Sequence, residues 1–375
     1  MVIASGYQRL VVKLGTSLLT AGGRQLHLPT MSSLVEQIAH LHHQGQEIII
    51  VSSGAIAAGR HELAISQKSR ALLFKQVLAS VGQSHLMHVY EQLFGLHKIT
   101  VAQALLTRKD LTDRHGYLNA RNTLLALMEL QVIAVINEND VVAIDEIRGN
   151  RIGDNDNLSA MVANLVDADL LVILTDIGGL FTSDPHSCPD ARLITRVERI
   201  DDRIESLAGG SASTLGTGGM ATKIEAARLA TASGVNVIIA DGREPGILLK
   251  AASGEPCGTL FPSHMTRLES RKRWMLTNRA SQGRIVVDEG ALLALREKEK
   301  SLLPAGIREV QGDFQRGDIV DIVDQAGEAF ACGISNYSSR EIALIKGSHS
   351  KRIASLVNHV CGTEVVHRNN MVLLS

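Results

Sequence analysis

The chain has 375 residues, 45% of them apolar, and 38 Lys and Arg stand against 39 Asp and Glu for a net charge of -1. That length predicts two domains, the apolar content excludes a generally disordered chain, and the charge balance excludes a surface given over to nucleic acid or anionic membrane. No apolar run approaches the ~18 residues of a bilayer span, MVIASGYQRLVVKLG lacks the pattern of a leader peptide, and Cys188, Cys257, Cys332 and Cys361, with no CxxC pair, predict reduced thiols in a cytoplasmic protein.

Short β-branched runs alternate with longer amphipathic stretches through the first two-thirds. Strands are predicted at Leu10–Lys13, Glu47–Val51, Thr100–Leu105, Val132–Ile136, Leu170–Leu174 and Val235–Ile239. Helices are predicted at Met31–His43, Ala55–Leu63, Ser69–Leu93, Arg114–Leu130, Asn157–Val166 and Ala221–Ser233. Near-continuously apolar strands suit a sheet buried on both faces, and helix-sized connections suit parallel crossovers. The fold class is therefore α/β, an open, mostly parallel sheet between helices, over residues 1–265. The segment Thr266–Ser281 is polar and basic and reads as a linker. Beyond it, GRIVVDEG, GIREVQG, GDIVDIVD and EAFACGIS read as short strands, with one helix at Ala291–Lys298. Residues 281–375 thus form a second, smaller β-rich domain.

In open α/β sheets ligands bind at the carboxyl ends of the strands, and the informative loops lie there. In VVKLGTS, Lys13 ends a strand and Gly15 turns the chain. Successive N–H groups there make an anion nest, or simply a tight turn. In SSGAIAAG, Gly54 opens a helix whose free N–H groups attract a negative ligand, while Ser53 either donates to that ligand or caps the helix. INEND and GDNDN crowd polar side chains beside a buried strand, which is costly unless they bind something. Asp140 and Asn155 could hold an ammonium or carboxamide-like group, and Asp156 could orient cations or manage Mg²⁺; the alternative is an Asx-rich turn. LGTGGMATK, running from Leu215 to Lys223, has the composition of a phosphate cradle or of a flexible glycine linker, but fails the P-loop spacing. Thr175 and Asp176 end a further strand, placed to meet a nucleotide or to cap a helix. The parts together are those of phosphoryl transfer, which needs positioning and charge neutralisation. The histidines are scattered, and no metal site is predicted from them or from His40, His42 and His43.

In this order KLGTS, SSGAIAAGR, VGQS, QALLTR, LNARNTL, INENDVVA, GDNDNLSA, ILTDIGGLFTSDP, GTGGMATK and SRKRW resemble the amino acid kinase family. VDEGA, SLLPAGI and FQRGDIV resemble a PUA domain. One departure is a segment from Asp140 to Asp154 a few residues longer than the family pattern. The resemblance implies ATP-dependent phosphorylation of the γ-carboxylate of L-glutamate to L-glutamyl 5-phosphate, the first intermediate toward proline. It implies that Lys13 and Lys223 flank the phosphates with Asp156 orienting them, and that Ser53, Asp140 and Asn155 hold glutamate. It further implies that Lys13, Thr175, Asp176, Thr217, Gly218, Gly219, Met220, Ala221, Thr222 and Lys223 contact ATP, with Mg²⁺ on the phosphate oxygens. Feedback inhibition by proline and a homo-oligomer, dimer or tetramer, are implied as well. Two alternatives stay open: a kinase of the same fold acting on aspartate or N-acetylglutamate, and an RNA-binding protein acting through the PUA-like tail. The low aromatic content, 3%, weighs against the second.

Overall fold

The computed structural model describes residues 6–65, 71–143, 155–185, 187–209, 219–265, 283–298, 300–357 and 362–374. The predicted linker, Thr217, Gly218, Cys361 and most of the long segment between Asp140 and Asp154 lie outside the described residues. The chain divides into two compact units, residues 1–267 and 268–375.

In the first unit the order is β1 (Arg9–Leu14), α1 (Thr16–Leu19), α2 (Leu28–His43), β2 (Glu47–Ser52), α3 (Ala55–Glu62), α4 (Leu72–Gly95), β3 (Val101–Leu106), α5 (Arg108–Thr112), α6 (Arg114–Glu129) and β4 (Ile133–Glu138). It continues with α7 (Asn155–Leu165), β5 (Leu170–Thr175), α8 (Asp202–Gly209), α9 (Met220–Ala232), β6 (Asn236–Asp241), α10 (Ile247–Ser253) and β7 (Thr259–Phe261). The strands form one sheet in the order β3-β4-β2-β1-β5-β6-β7. Every neighbouring pair is parallel except β6 with β7.

Side chains alternate across a strand, so β1 sends Leu10, Val12 and Leu14 to one face and Val11 and Lys13 to the other. The first face packs on Leu34, Ile38, Tyr90 and Leu248 from α2, α4 and α10. The second packs on Leu125, Val162 and Ala227 from α6, α7 and α9. Burial on both faces explains why the strands read as continuous apolar runs. All six predicted strands are present, but β4, β5 and β6 run one or two residues further than their apolar patterns. Asn137, Glu138, Thr175 and Asp241 stay in the ladder, pairing Leu105↔Asn137, Leu106↔Glu138 and Thr175↔Asp241. Backbone pairing ignores side-chain polarity, so the sheet carries these polar residues into the site. The short helices α1, α5, α8 and α10 and the three-residue β7 fall below the length at which periodicity separates helix from strand.

Helices α3 and α4 touch backbone to backbone. A Cβ on Gly59 would overlap the carbonyl oxygen of Leu78, and one on Gly82 would overlap that of Ala55. Gly54, at φ 104°, turns the chain from β2 into α3.

The second unit holds β8 (Arg284–Val287), α11 (Glu289–Glu297), β9 (Ile307–Gln311), β10 (Ile319–Val323), β11 (Ala329–Ile334), α12 (Ser339–Ile345), α13 (Ile353–Leu356) and β12 (Met371–Leu373). Its sheet runs β12-β11-β10-β8-β9, with β8 and β10 parallel and the other pairs antiparallel. Ile285, Val320, Ile322, Phe330, Tyr337 and Ile342 belong to a core of its own. The four predicted strand segments are β8 to β11; α12, α13 and β12 carry too few periodic residues to have been read.

Gly82→Ala puts a methyl group onto the Ala55 carbonyl. It is expected to destabilise the protein by about 1–3 kcal/mol and to lower its thermal midpoint by several degrees. A midpoint equal to that of the parent in a thermal melt would show that α3 and α4 are not in this contact.

Candidate active site

Parallel strands end together, so their C-terminal edge gathers residues remote in sequence. The central strand β1 has β2 on one side and β5 on the other, and the order leads away from it in both directions. A crevice outside the strand ends at such a reversal is where open α/β sheets bind ligands.

Lys13, the last but one residue of β1, lies on the face covered by α7 and α9. Its Nζ sits 2.5 Å from Oδ1 of Asp156, in the first turn of α7. Lys223, in the second turn of α9, places Nζ 3.3 Å from the other oxygen of the same carboxylate. Thr222 Oγ1 donates to that oxygen at 2.7 Å and also to the carbonyl of Gly219. Lys13 and Lys223 are each 6% exposed and Asp156 1%. Burial by itself would raise the carboxyl of Asp156, but Lys13 and Lys223 outweigh it and hold the group well below the usual carboxylate range. Burial pushes the Lys223 ammonium down, Asp156 opposes that shift and Lys13 reinforces it. Two ammonium groups thus share one buried carboxylate, with Asp176 also acting on Lys223, which concentrates positive charge here. An isolated buried charge is expensive, so the cluster is built to receive an anion.

Further donors converge on it. Gly219 caps α9 with extended backbone, and no side chain among the described residues caps the helix. The first N–H groups of α9, beginning with Met220, Ala221 and Thr222, have no intrahelical acceptor and present the positive end of the helix dipole. At the end of β5, Thr175 Oγ1 donates to Oδ1 of Asp176 at 3.1 Å. Arg243 clasps Asp241 and donates to the Asp176 carbonyl at 2.5 Å, tying the ends of β5 and β6 together.

A second group lies at the ends of β2 and β4. Asn155, immediately before Asp156, donates through Nδ2 to Ser53 Oγ at 3.0 Å and to Asn137 Oδ1 at 3.0 Å. Asn137 in turn donates to Gln83 Oε1 of α4 at 2.7 Å. Tyr90, also on α4, is fully buried with its hydroxyl 2.8 Å from Ser52 Oγ, which donates to the Ser53 carbonyl. Asp140 is half-buried, two residues past β4, in a turn where the N–H groups of Val142 and Ala143 donate to the carbonyl of Asn139.

Lys13, Asp156, Thr222 and Lys223 are thus in one hydrogen-bonded cluster, and Ser53 and Asn155 in an adjoining one. Thr217 and Gly218 lie outside the described residues. The sequence reading gave no individual role to Asn137, Gln83 or Ser52, though INEND, VGQS and SSGAIAAG contain them, and passed over Tyr90. The available signal was polarity out of place: an asparagine ending an apolar strand and a glutamine beside the glycine at a helix crossing. Among the described residues no cluster of three or more His, Cys, Asp or Glu is placed to hold a metal ion, and Cys188, Cys257 and Cys332 form no disulfide there.

The model of the amino acid kinase family matches residues 8–241, and that of the PUA domain matches residues 283–357. The chain is 57% identical to a glutamate 5-kinase of Dehalococcoides mccartyi over 368 residues, covering 98% of this chain and 99% of that one. It is 51% identical to the glutamate 5-kinase of Herpetosiphon aurantiacus over 366 residues, covering 98% of both. The structure of a UMP kinase from Bacillus anthracis covers 69% of this chain and 98% of its own, with 15% identity and a TM-score of 0.49.

Asp156→Asn leaves two buried ammonium groups facing a neutral amide and is expected to cost about 3–5 kcal/mol. Because the folded carboxyl titrates below its unfolded value of about 3.9, the difference from the parent is complete above that pH. It shrinks as the pH falls through the folded value, below which residue 156 is neutral in both proteins. Denaturant unfolding at a series of pH values measures it, and a constant difference down to the acid limit would contradict the coupling.

Proposed function

This chain belongs to the amino acid kinase family, and from that premise we propose that it phosphorylates the γ-carboxylate of L-glutamate with ATP, giving L-glutamyl 5-phosphate for proline biosynthesis. The relatives of matching length are glutamate 5-kinases. The single observation that carries the reading to this chain's own residues is the Lys13–Asp156–Lys223 cluster, two buried ammonium groups on one carboxylate beside the start of α9, which no side chain among the described residues caps.

In this reading an oxygen of the γ-carboxylate forms a bond to the terminal phosphorus of ATP while the bond from that phosphorus to the ADP oxygen breaks. No proton has to move. The requirement is to bring two anions together and to hold the charge of the transferring group. Lys13 and Lys223 supply that charge, and Asp156, engaged by both, keeps the two ammonium groups at fixed positions before either ligand arrives. Preorganisation of this kind avoids reorganising dipoles during the reaction. The N–H groups from Gly219 through Thr222, with Thr217, Gly218, Thr175 and Asp176, serve the nucleotide. Both oxygens of Asp156 face cations, which fits Mg²⁺ held on phosphate oxygens rather than by a cage of carboxylates.

Ser53, Asp140 and Asn155 receive glutamate. A carboxylate such as Asp140 favours a substrate with a free ammonium group. Homo-oligomer formation, inhibition by proline and a cytoplasmic location belong to the same reading. No described helix is long and apolar enough to cross a membrane.

Trapping the acyl phosphate with hydroxylamine across glutamate, aspartate and N-acetylglutamate tests the assignment. Glutamate is expected to give the hydroxamate and N-acetylglutamate little, because acetylation removes the ammonium charge. Equal turnover of the two would overturn it. Lys13→Ala and Lys223→Ala are each expected to lower kcat by about 10²-fold or more, the scale for one preorganised electrostatic donor. A wild-type kcat in either variant would remove that lysine from the phosphate machinery.

A further inference from the structure

Three carboxamides form a chain across the ends of β2 and β4, and its polarity is set at one point. The backbone N–H of Glu138 donates to Asn137 Oδ1 at 2.9 Å. A backbone donor cannot turn around, so Oδ1 is the atom that Asn137 keeps on this side. Asn155 must then meet Asn137 Oδ1 with a donor, and it does so through Nδ2 at 3.0 Å. The same Nδ2 faces Ser53 Oγ at 3.0 Å and the Ser52 carbonyl at 3.4 Å. Every neighbour of Nδ2 is an oxygen, and the inverted amide would set oxygen against oxygen at Asn137 and at Ser52.

The consequence lies at the far end of Asn155. Its Oδ1 is buried and has no hydrogen-bond partner among the described residues, on a residue only 6% exposed. A buried acceptor without a donor costs about 1–3 kcal/mol, and a substrate ammonium supplies the donor. On the other side, Asn137 Nδ2 donates to Gln83 Oε1 at 2.7 Å. Gln83 reaches this position because Gly82 lets α4 lie against α3. Its Oε1 accepts from Asn137, while its own Nε2 is buried with no hydrogen-bond partner among the described residues.

We propose that Gln83 is a positioning residue for the amino-acid subsite: by accepting from Asn137 it locks Asn137, and through it Asn155, so that Asn155 Oδ1 is held as the acceptor for the α-ammonium of the substrate. The inference rests on the proposed glutamate phosphorylation and adds to it the side chain that, together with the Glu138 N–H, holds the polarity of the subsite. Without the Gln83 acceptor, Asn137 Nδ2 is left unsatisfied. Asn137 then gains by rotating toward other oxygens, Asn155 loses its fixed partner, and its amide can present either end to the ligand.

Two substitutions separate positioning from packing. Gln83→Met has nearly the same length and volume but no acceptor for Asn137, whereas Gln83→Glu keeps an oxygen at that place. Both full-length proteins are assayed by hydroxamate formation with glutamate and with glutarate, which lacks the ammonium group, with KM for ATP measured in parallel. Gln83→Met is expected to raise KM for glutamate about tenfold or more, to leave KM for ATP unchanged, and to reduce the preference for glutamate over glutarate. Gln83→Glu is expected to retain most of that preference.

A structural defect alone would instead lower kcat and the melting temperature and move both KM values, with the glutamate-to-glutarate ratio intact. A Gln83→Met protein with the parent's ratio overturns the proposal, and so does equal impairment of the ratio in the two variants. Should the methionine variant not fold, loss of the ratio in a folded Gln83→Glu protein overturns it, and retention supports it. Failure of the unsubstituted protein to form the hydroxamate would count against the glutamate assignment itself.

Discussion

Two ammonium groups share one carboxylate in the interior of this protein, and that imbalance constrains everything near it. Lys13, Lys223 and Asp156 come from a strand and two helices that are far apart in the chain. Each would be prohibitively costly to bury alone. Together they are tolerable because Asp156 offers both oxygens and Thr222 adds a hydrogen bond. In the proposed reading the positive charge gathered there is a stability cost that serves to attract phosphate. The sheet order follows the same demand: β1 must be central for Lys13 to be covered by α7 and α9, and its neighbours β2 and β5 then bring Ser53 and Thr175 to the same edge.

The start of α7 joins the two halves of the site. Asn155 and Asp156 are consecutive, and successive helical residues point about 100° apart. Asp156 turns toward the lysines while Asn155 turns toward Ser53 and Asn137. One helix terminus therefore sets the spacing between the lysine cluster and the carboxamide cluster. In the proposed reading that spacing governs an in-line transfer, where a misplacement of about 1 Å is costly. Helix α4 supports the carboxamide cluster, with Tyr90 on Ser52 and Gln83 on Asn137. Its close approach to α3, allowed by Gly59 and Gly82, sets how far those side chains reach.

The second unit has a hydrophobic core of its own, from Ile285 to Met371. All the charged and polar groups gathered in the two clusters come from the first unit, between Lys13 and Lys223. Both clusters thus belong to the larger unit, which a compact β-rich body follows in the chain.

The α/β class, the parallel crossovers, the β-rich tail and the loops at the strand ends were legible from local pattern alone. Burial on both faces writes itself into runs such as EIIIVS and LLVILT, and glycine and Asx residues mark the turns after them. Lys13, Asp156 and Lys223 were legible as residue types that phosphoryl transfer needs, and Ser53 and Asn155 as polar groups beside a buried strand. What no local pattern contains is pairing at a distance. That both lysines meet one carboxylate, that Asn137 stays in the ladder beyond its apolar run, and that Gln83 and Tyr90 of α4 reach the ends of β4 and β2 all depend on elements separated by tens of residues. Side-chain chemistry and periodicity are properties of neighbours along the chain. The direction of an amide and the sum of charge in a cavity are properties of neighbours in space, and only the packed tertiary structure decides them.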